Sequence, residues 1–252
     1  MRRSVAKGKN LVHRDFDHIT LVESKIRSLH NAYLQTRGYP LQYRIEQINV
    51  LKDYLNKKKA LLAEAIHLNM GKTLDESRGE IDKAIYHCNY YAKNAEDFLR
   101  PQLDQFGSHK FKSTMQPTGV VFKITPLNFP VWIGFKTLIP NIVLGNTFLL
   151  RPSMKCFDVD SILEEIIKES ALDCFDIGYT SIQDTEAILS NKLISGVSFT
   201  GSTAAGRVIG EMAGKHLKKC ILELGGSDAF VVTENTVNEK VVADAIKGGL
   251  KS

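Results

Sequence analysis

The chain has 252 residues, enough for one large domain or two modest ones, and its 43% hydrophobic and 24% charged content is that of an ordinary globular protein. Its formal net charge of +5 is spread along the chain, which argues against a nucleic-acid partner and for a solvated surface. No apolar run approaches the roughly 20 residues that span a bilayer, so no membrane role is expected.

Cys88, Cys156, Cys174 and Cys220 form no CxxC pair and no Cys/His cluster with zinc spacing, so neither a metal site nor a disulfide framework is expected. Reduced thiols point to the cytoplasm. The first 14 residues hold five Lys or Arg and no acid, which suits a frayed basic tail and also a transit peptide to the mitochondrial matrix. Residues 1–20 are read as that tail, a disordered segment ahead of the folded region 21–252.

A helical lead-in follows, over 20–100. Val22, Ile26, Leu29 and Tyr33 share one helical face, and Ile45, Ile48, Leu51 and Leu55 repeat the pattern in a second helix. A neighbouring helix over 60–68 ends near Gly71. A longer one runs from Leu74 to Leu99, with Ile81, Ile85, Cys88 and Ala92 on its stripe, and stops before Pro101.

From Thr118 the texture alternates. Strands are predicted over 119–124, 147–150, 197–200 and 229–232, with Cys220-Ile221-Leu222 in a further one. Helices are predicted around 135–144, 161–170 and 204–213. Strand, turn, helix, strand is the signature of an α/β fold with a parallel Rossmann-type sheet and helices on both faces, and such sheets hold ligands at the carboxyl ends of their strands.

Three clusters sit at those ends. In Pro126-Leu127-Asn128-Phe129-Pro130, two prolines fix the backbone around an amide that either caps its own turn or offers an N–H to a developing oxyanion. In Phe199-Thr200-Gly201-Ser202-Thr203-Ala204-Ala205-Gly206, Gly201 permits close backbone approach and Gly206 lets a helix pack near the sheet. Ser202 or Thr203 either caps that helix or contacts a phosphate. In Leu222-Glu223-Leu224-Gly225-Gly226, a carboxylate flanked by leucines is either an exposed strand-end residue or a partly desolvated general base.

In this order, with Pro117-Thr118-Gly119-Val120-Val121 before them and Gly145-Asn146-Thr147 and Arg151-Pro152-Ser153 between, the clusters resemble the aldehyde dehydrogenase superfamily over roughly residues 25–252. Asn69-Met70-Gly71-Lys72 and Tyr90-Tyr91-Ala92 match stretches of its lead-in. Glu223 to Asp228, with Ala213-Gly214-Lys215, are most similar to the branch that oxidises succinate semialdehyde.

In that family a cysteine thiolate attacks an aldehyde, hydride passes to a nicotinamide, and a glutamate activates the water that releases the acid. The resemblance implies Asn128 as oxyanion donor and Glu223 as general base. It implies an NAD or NADP site formed by Ile124, Thr125, Pro126, Leu127 and Asn128, by Arg151 and Ser153, by Phe199, Thr200, Gly201, Ser202, Thr203 and Gly206, and by Leu224 and Gly225. Ile124 to Leu127 would line the adenosine crevice, with the turn from Gly201 to Gly206 by the pyrophosphate and nicotinamide.

Met154 stands where NAD-preferring members often carry a glutamate on the ribose, and Arg151 could attract a 2′-phosphate, so NADP is expected to be tolerated. Leu127 replaces a frequent tryptophan. The resemblance places the nucleophile roughly 30 residues beyond Glu223, past Ser252. A chain without the catalytic domain, inactive by itself and lacking the region through which relatives oligomerise, is therefore expected. The alternative is a non-catalytic protein that binds a dinucleotide or a partner.

Overall fold

Helical periodicity organises the front of the chain, which the computed structural model describes over residues 15–229, 231–234 and 238–250. Of the expected basic tail, residues 1–14 lie outside the described residues, and helix α1 (Ile19–Thr36) already begins at Ile19. It buries Val22, Ile26, Leu29 and Tyr33, the stripe read from the sequence.

Helix α2 (Leu41–Met70) is continuous where two helices were expected. No glycine or proline interrupts residues 41–70, and the lysines between the two apolar stretches are good helix formers. One of them, Lys58, pairs with Glu165 and Glu169. The helix ends where Gly71, at φ 75°, donates its N–H to the His67 carbonyl. Helix α3 (Leu74–Leu99) opens with a capping box between Thr73 and Glu76 and buries Ile81, Ala84 and Cys88. An antiparallel hairpin follows, β1 (Gln102–Phe106) and β2 (His109–Ser113), exposed at every residue. With no buried face it carries no apolar alternation, and sequence reading passes over it.

The rest alternates: β3 (Val120–Ile124), α4 (Trp132–Leu144), β4 (Thr147–Arg151), α5 (Phe157–Ser170), β5 (Phe175–Ile177), α6 (Thr185–Ser190), β6 (Ile194–Thr200), α7 (Thr203–Lys215), β7 (Lys219–Glu223) and α8 (Glu239–Leu250). Five strands form one parallel sheet in the order β5-β4-β3-β6-β7. The expected strand over 229–232 is not found: Phe230 lies outside the described residues, and Ala229, Val231 and Val232 are not in a strand. Strand conformation needs a partner, and among the described residues the sheet ends at β7.

Helices cover both faces, as expected for this α/β class. Residues of α2 to α5 pack with Phe148, Leu150 and Phe175 on one side. Residues of α1, α6 and α7 pack with Phe122, Leu149 and Val197 on the other. From β3 the chain proceeds outward to β4 and β5, then returns to the opposite side of β3 for β6 and β7. That reversal puts a topological switch point between β3 and β6, where the carboxyl ends of parallel strands open a crevice.

One buried amide ties the amino ends together. Asn146, only 7% exposed, accepts from the N–H groups of Thr118 (2.6 Å) and Gly119 (3.1 Å) and donates to Asn141 Oδ1 (2.9 Å). It thereby joins the start of β3 to the end of α4 and the start of β4. Asn146→Ala strips the acceptor from two N–H groups and is expected to cost about 1–3 kcal/mol. Urea unfolding that finds the variant as stable as the parent chain would contradict this account.

Candidate functional site

The turn after β3 is held from outside. Helix α4 has no side-chain cap of its own at Val131. Glu80 of α3 replaces it: its fully buried carboxylate accepts from the N–H of Val131 (2.9 Å) and of Trp132 (3.0 Å) through Oε1. Its other oxygen accepts from Lys72 Nζ at 2.8 Å, and the same ammonium lies 3.6 Å from the centroid of the Phe129 ring. A buried carboxylate is tolerated here because the helix start, a hydrogen-bond set and a lysine all compensate it.

Asn128 and Phe129, with Lys72, Glu80 and Trp132, line a cavity of about 420 Å³. Farther along α4, Pro140 cannot donate to the Lys136 carbonyl four residues earlier. His87 of α3 supplies the missing donor through Nε2 at 3.2 Å. Burial lowers the pKa of His87, which favours the neutral ring.

At the end of β6, Ser202 is the N-cap of α7, its Oγ accepting from the Ala205 N–H at 3.3 Å. The helix-capping alternative for Ser202 is therefore the one observed. A Cβ on Gly201 would strike the Phe199 ring, and one on Gly206 would strike the Leu224 side chain. Gly206 thus lets α7 close on the Leu224 side chain, in the turn after β7, where packing near the sheet was expected.

Thr200 pairs in register with Glu223, and the Gly201 N–H donates to the Glu223 carbonyl at 3.1 Å. The turns after β6 and β7 are joined in this way. The Glu223 carboxylate is not desolvated as one alternative had it: its side chain is 55% exposed and faces Lys136 Nζ at 3.5 Å. The reason is that β7 is an edge strand exposed at every residue.

At the end of β4, the Arg151 carbonyl accepts from the Thr125 N–H at 3.1 Å, and Arg151 Nε donates to the Thr180 carbonyl at 3.1 Å. Burial lowers the pKa of this guanidinium. The Ser153 carbonyl accepts from the Cys156 N–H, and Leu127 and Met154 pack on the core. Ile124 and Phe199 are buried at the strand ends, while Leu224 and Gly225 are exposed.

None of the cysteines is placed as a nucleophile. Burial pushes the thiols of Cys88, Cys156 and Cys174 up to about 12. Cys220 is exposed on β7, and its pKa is raised as well.

The Aldehyde dehydrogenase family model matches residues 6–252, nearly the whole chain. The chain belongs to the aldehyde dehydrogenase family. It is 32% identical over 233 residues to the succinate-semialdehyde dehydrogenase (NADP+) of Deinococcus radiodurans, covering 92% of this chain and 49% of that protein. It is 27% identical over 229 residues to the succinate semialdehyde dehydrogenase (NAD(P)+) Sad of Escherichia coli, covering 90% and 50%. The solved succinic semialdehyde dehydrogenase of Streptococcus pyogenes, in complex with NADP+, superposes with a TM-score of 0.83 at 29% identity, over 88% of this chain and 50% of that one. The chain spans about half the length of the relatives it matches.

Two charged residues of this chain escaped sequence reading. Glu80 lies one turn before Ala84 on the buried stripe of α3, and a carboxylate on an apolar stripe was the available signal. Lys123 interrupts the apolar run of β3, and a charge in a strand covered on both faces was the other. Lys123 is 1% exposed and donates to Ser198 Oγ (3.1 Å) and Thr200 Oγ1 (2.7 Å).

Burial is the main cause that brings the Lys123 pKa down to about 8. Glu223 opposes that shift and Lys136 adds to it. The unfolded chain therefore holds this proton more tightly than the folded one, so burial of the ammonium costs stability fully below pH 8, and the cost fades as pH rises from 8 toward the ordinary lysine value. Lys123→Met is expected to gain on the order of 2–3 kcal/mol at pH 7, less whatever the two hydrogen bonds contribute, and to lose that advantage near pH 10.5. Denaturant unfolding at the two pH values reads the difference. An advantage that stays constant with pH would show that burial of the charge is not its source.

Proposed function

We propose that residues 21–252 are the nicotinamide-dinucleotide-binding region of an NAD(P)-dependent aldehyde dehydrogenase that oxidises a small aldehyde, of the succinate semialdehyde class, to the acid. The observation that carries this reading is the convergence of three turns at the carboxyl ends of β3, β6 and β7, beside the switch point, with Asn128, Ser202 and Glu223 on them. The names of the relatives, succinate-semialdehyde dehydrogenases of NADP+ or NAD(P)+, support the substrate class and the two cofactors.

The residues present fit an anionic dinucleotide. Half-buried Arg151 and buried Lys123 bring positive charge toward the ends of β4 and β3, and the N-terminus of α7 lies just past the carboxyl end of β6. Ile124 to Leu127 and Arg151 with Ser153 form the adenosine side. Phe199 to Thr203 with Gly206, and Leu224 with Gly225, form the side toward Glu223. When bound, the nicotinamide accepts hydride.

The chain's own residues bind and orient. Asn128, fixed by Pro126, Pro130 and the Glu80 carboxylate behind α4, offers its N–H₂ to the oxygen of the aldehyde. Glu223 takes a proton from water, and Lys136 Nζ lies 3.5 Å from its carboxylate. Cytoplasmic localisation fits four free cysteines.

Residues 1–252 alone are expected to bind NAD+ or NADP+ and to oxidise no aldehyde, since three thiols are buried and the fourth lies on an edge strand without an activating base. Calorimetry, together with quenching of Trp132, the single tryptophan, tests the first half. Turnover abolished by replacing any of the four cysteines would overturn the second.

Met154 packs on the core rather than presenting a carboxylate to the ribose. NADP+ is therefore expected to bind at least as well as NAD+. Arg151→Leu should weaken NADP+ by about tenfold and NAD+ by less, the size of one charge-assisted hydrogen bond. Equal losses for the two cofactors would remove Arg151 from the 2′-phosphate.

A further inference from the structure

Among the described residues, the buried Lys123 ammonium near the end of β3 has no carboxylate in hydrogen-bond contact with it. Lys123 leaves β3 on the same face as Ser198 and Thr200 of β6, and both of its recorded hydrogen bonds are to these neutral hydroxyls. Glu223 of β7, one row farther across the sheet, is the acidic group that acts on it, and Glu223 is already ion-paired to Lys136 of α4 at 3.5 Å. Among the described residues these three are the charged groups that bear on the position, and together they carry a net positive charge at neutral pH. The ammonium bridges β3 and β6, the two strands between which the order of the sheet reverses, so it lies buried beside the switch point.

We infer that Lys123 makes this crevice discriminate between the two redox forms of a nicotinamide dinucleotide, favouring the reduced form, whose ring is neutral, over the oxidised form, whose ring is a cation. The inference rests on the proposed function, in which the adenosine lies toward Arg151 and the ring toward Thr200 and Glu223. The direction in which Lys123 leans decides which end of the ligand feels it: its ammonium reaches across to Thr200, 2.7 Å away, on the side of Glu223.

Pyrophosphate and ribose are the same in both forms, so any attraction of Lys123 for the phosphates cancels in the ratio of the two affinities. What survives in the ratio is the repulsion between a fixed cation and a cationic ring. In a site of effective dielectric constant about 20, two unit charges about 12 Å apart alter that ratio by roughly tenfold, and closer approach alters it more. Since burial brings the Lys123 pKa to about 8, the repulsion is present at pH 7 and fades as the ammonium loses its proton above pH 8.

The test is calorimetric titration of the 252-residue chain with NAD+ and with NADH at pH 7.0 and at pH 9.5, for the parent chain and for Lys123→Met and Lys123→Gln. The expected result is a preference for NADH in the parent chain at pH 7.0 that falls by about tenfold at pH 9.5. The same fall is expected at pH 7.0 in either variant, whose own ratio should then be insensitive to pH. The pH comparison on the parent chain needs no variant, so a misfolded Met or Gln form leaves it decisive. Binding of both forms with a ratio that neither pH nor substitution moves overturns this inference and leaves the proposed function standing. Should NAD+ and NADH not bind, the same titrations are read with NADP+ and NADPH, and failure of all four to bind overturns the two together.

Discussion

Strand β3 pairs in parallel with β4 on one side and with β6 on the other, and the placement of every candidate residue depends on that double pairing. It puts Val120, Phe122 and Ile124 in the middle of the sheet, buried, and it aligns the ends of β3, β4 and β6 within a residue of one another. The turn with Asn128, the Arg151 carbonyl and the Thr200–Gly201 turn follow from those ends. A one-residue slip in either pairing would reverse which face each side chain of the slipped strand occupies, and a slip of β6 would carry Ser198 and Thr200 away from Lys123. Asn146 guards against such a slip at the opposite end by holding the amino ends of β3 and β4 at fixed offset.

Two buried charges near this centre show opposite solutions to the same problem. Glu80 is compensated on each oxygen, by two backbone donors and by Lys72. The arrangement converts an unfavourable burial into a rigid brace for α4 and for the turn before it. Lys123 has only hydroxyls, and the remaining cost is visible in its lowered pKa. Retaining an incompletely compensated charge at a strand end is what sites that act on ligands do, since the same charge that destabilises the fold remains available to the ligand.

Much of this was legible in the residues. The stripe of α1, the reach of α3, four strands of the sheet, their alternation with helices and the family itself follow from periodicity, turn residues and the order of three motifs. The failures share a physical origin. A long helix with a lysine run in its middle looks like two, because the apolar stripe gives way there to charged side chains, among them Lys58, which is held against Glu165 and Glu169 of α5. The short strand β5 (Phe175–Ile177) is too brief for a pattern. Residues 229–232 have strand composition, but among the described residues Ala229, Val231 and Val232 are in no strand and the sheet ends at β7, since pairing is a property of the sheet rather than of the segment. The exposure of Glu223 likewise depends on what lies over β7, which flanking leucines do not reveal. Glu80 and Lys123 gain their meaning only from partners far away in sequence, Val131 and Trp132 for the one, Ser198 and Thr200 for the other.

Cys220 stands alone among the four thiols in reaching solvent, three residues before Glu223 on the open edge of the sheet. The chain thus carries one chemically addressable sulfur without any engineering. A maleimide dye or spin label attached there sits beside the turn that joins β6 and β7, and its emission or line width becomes a gauge of whatever settles over that edge. The same sulfur is also where adventitious cross-linking between copies begins in air, so thiol reductant decides whether a preparation remains uniform.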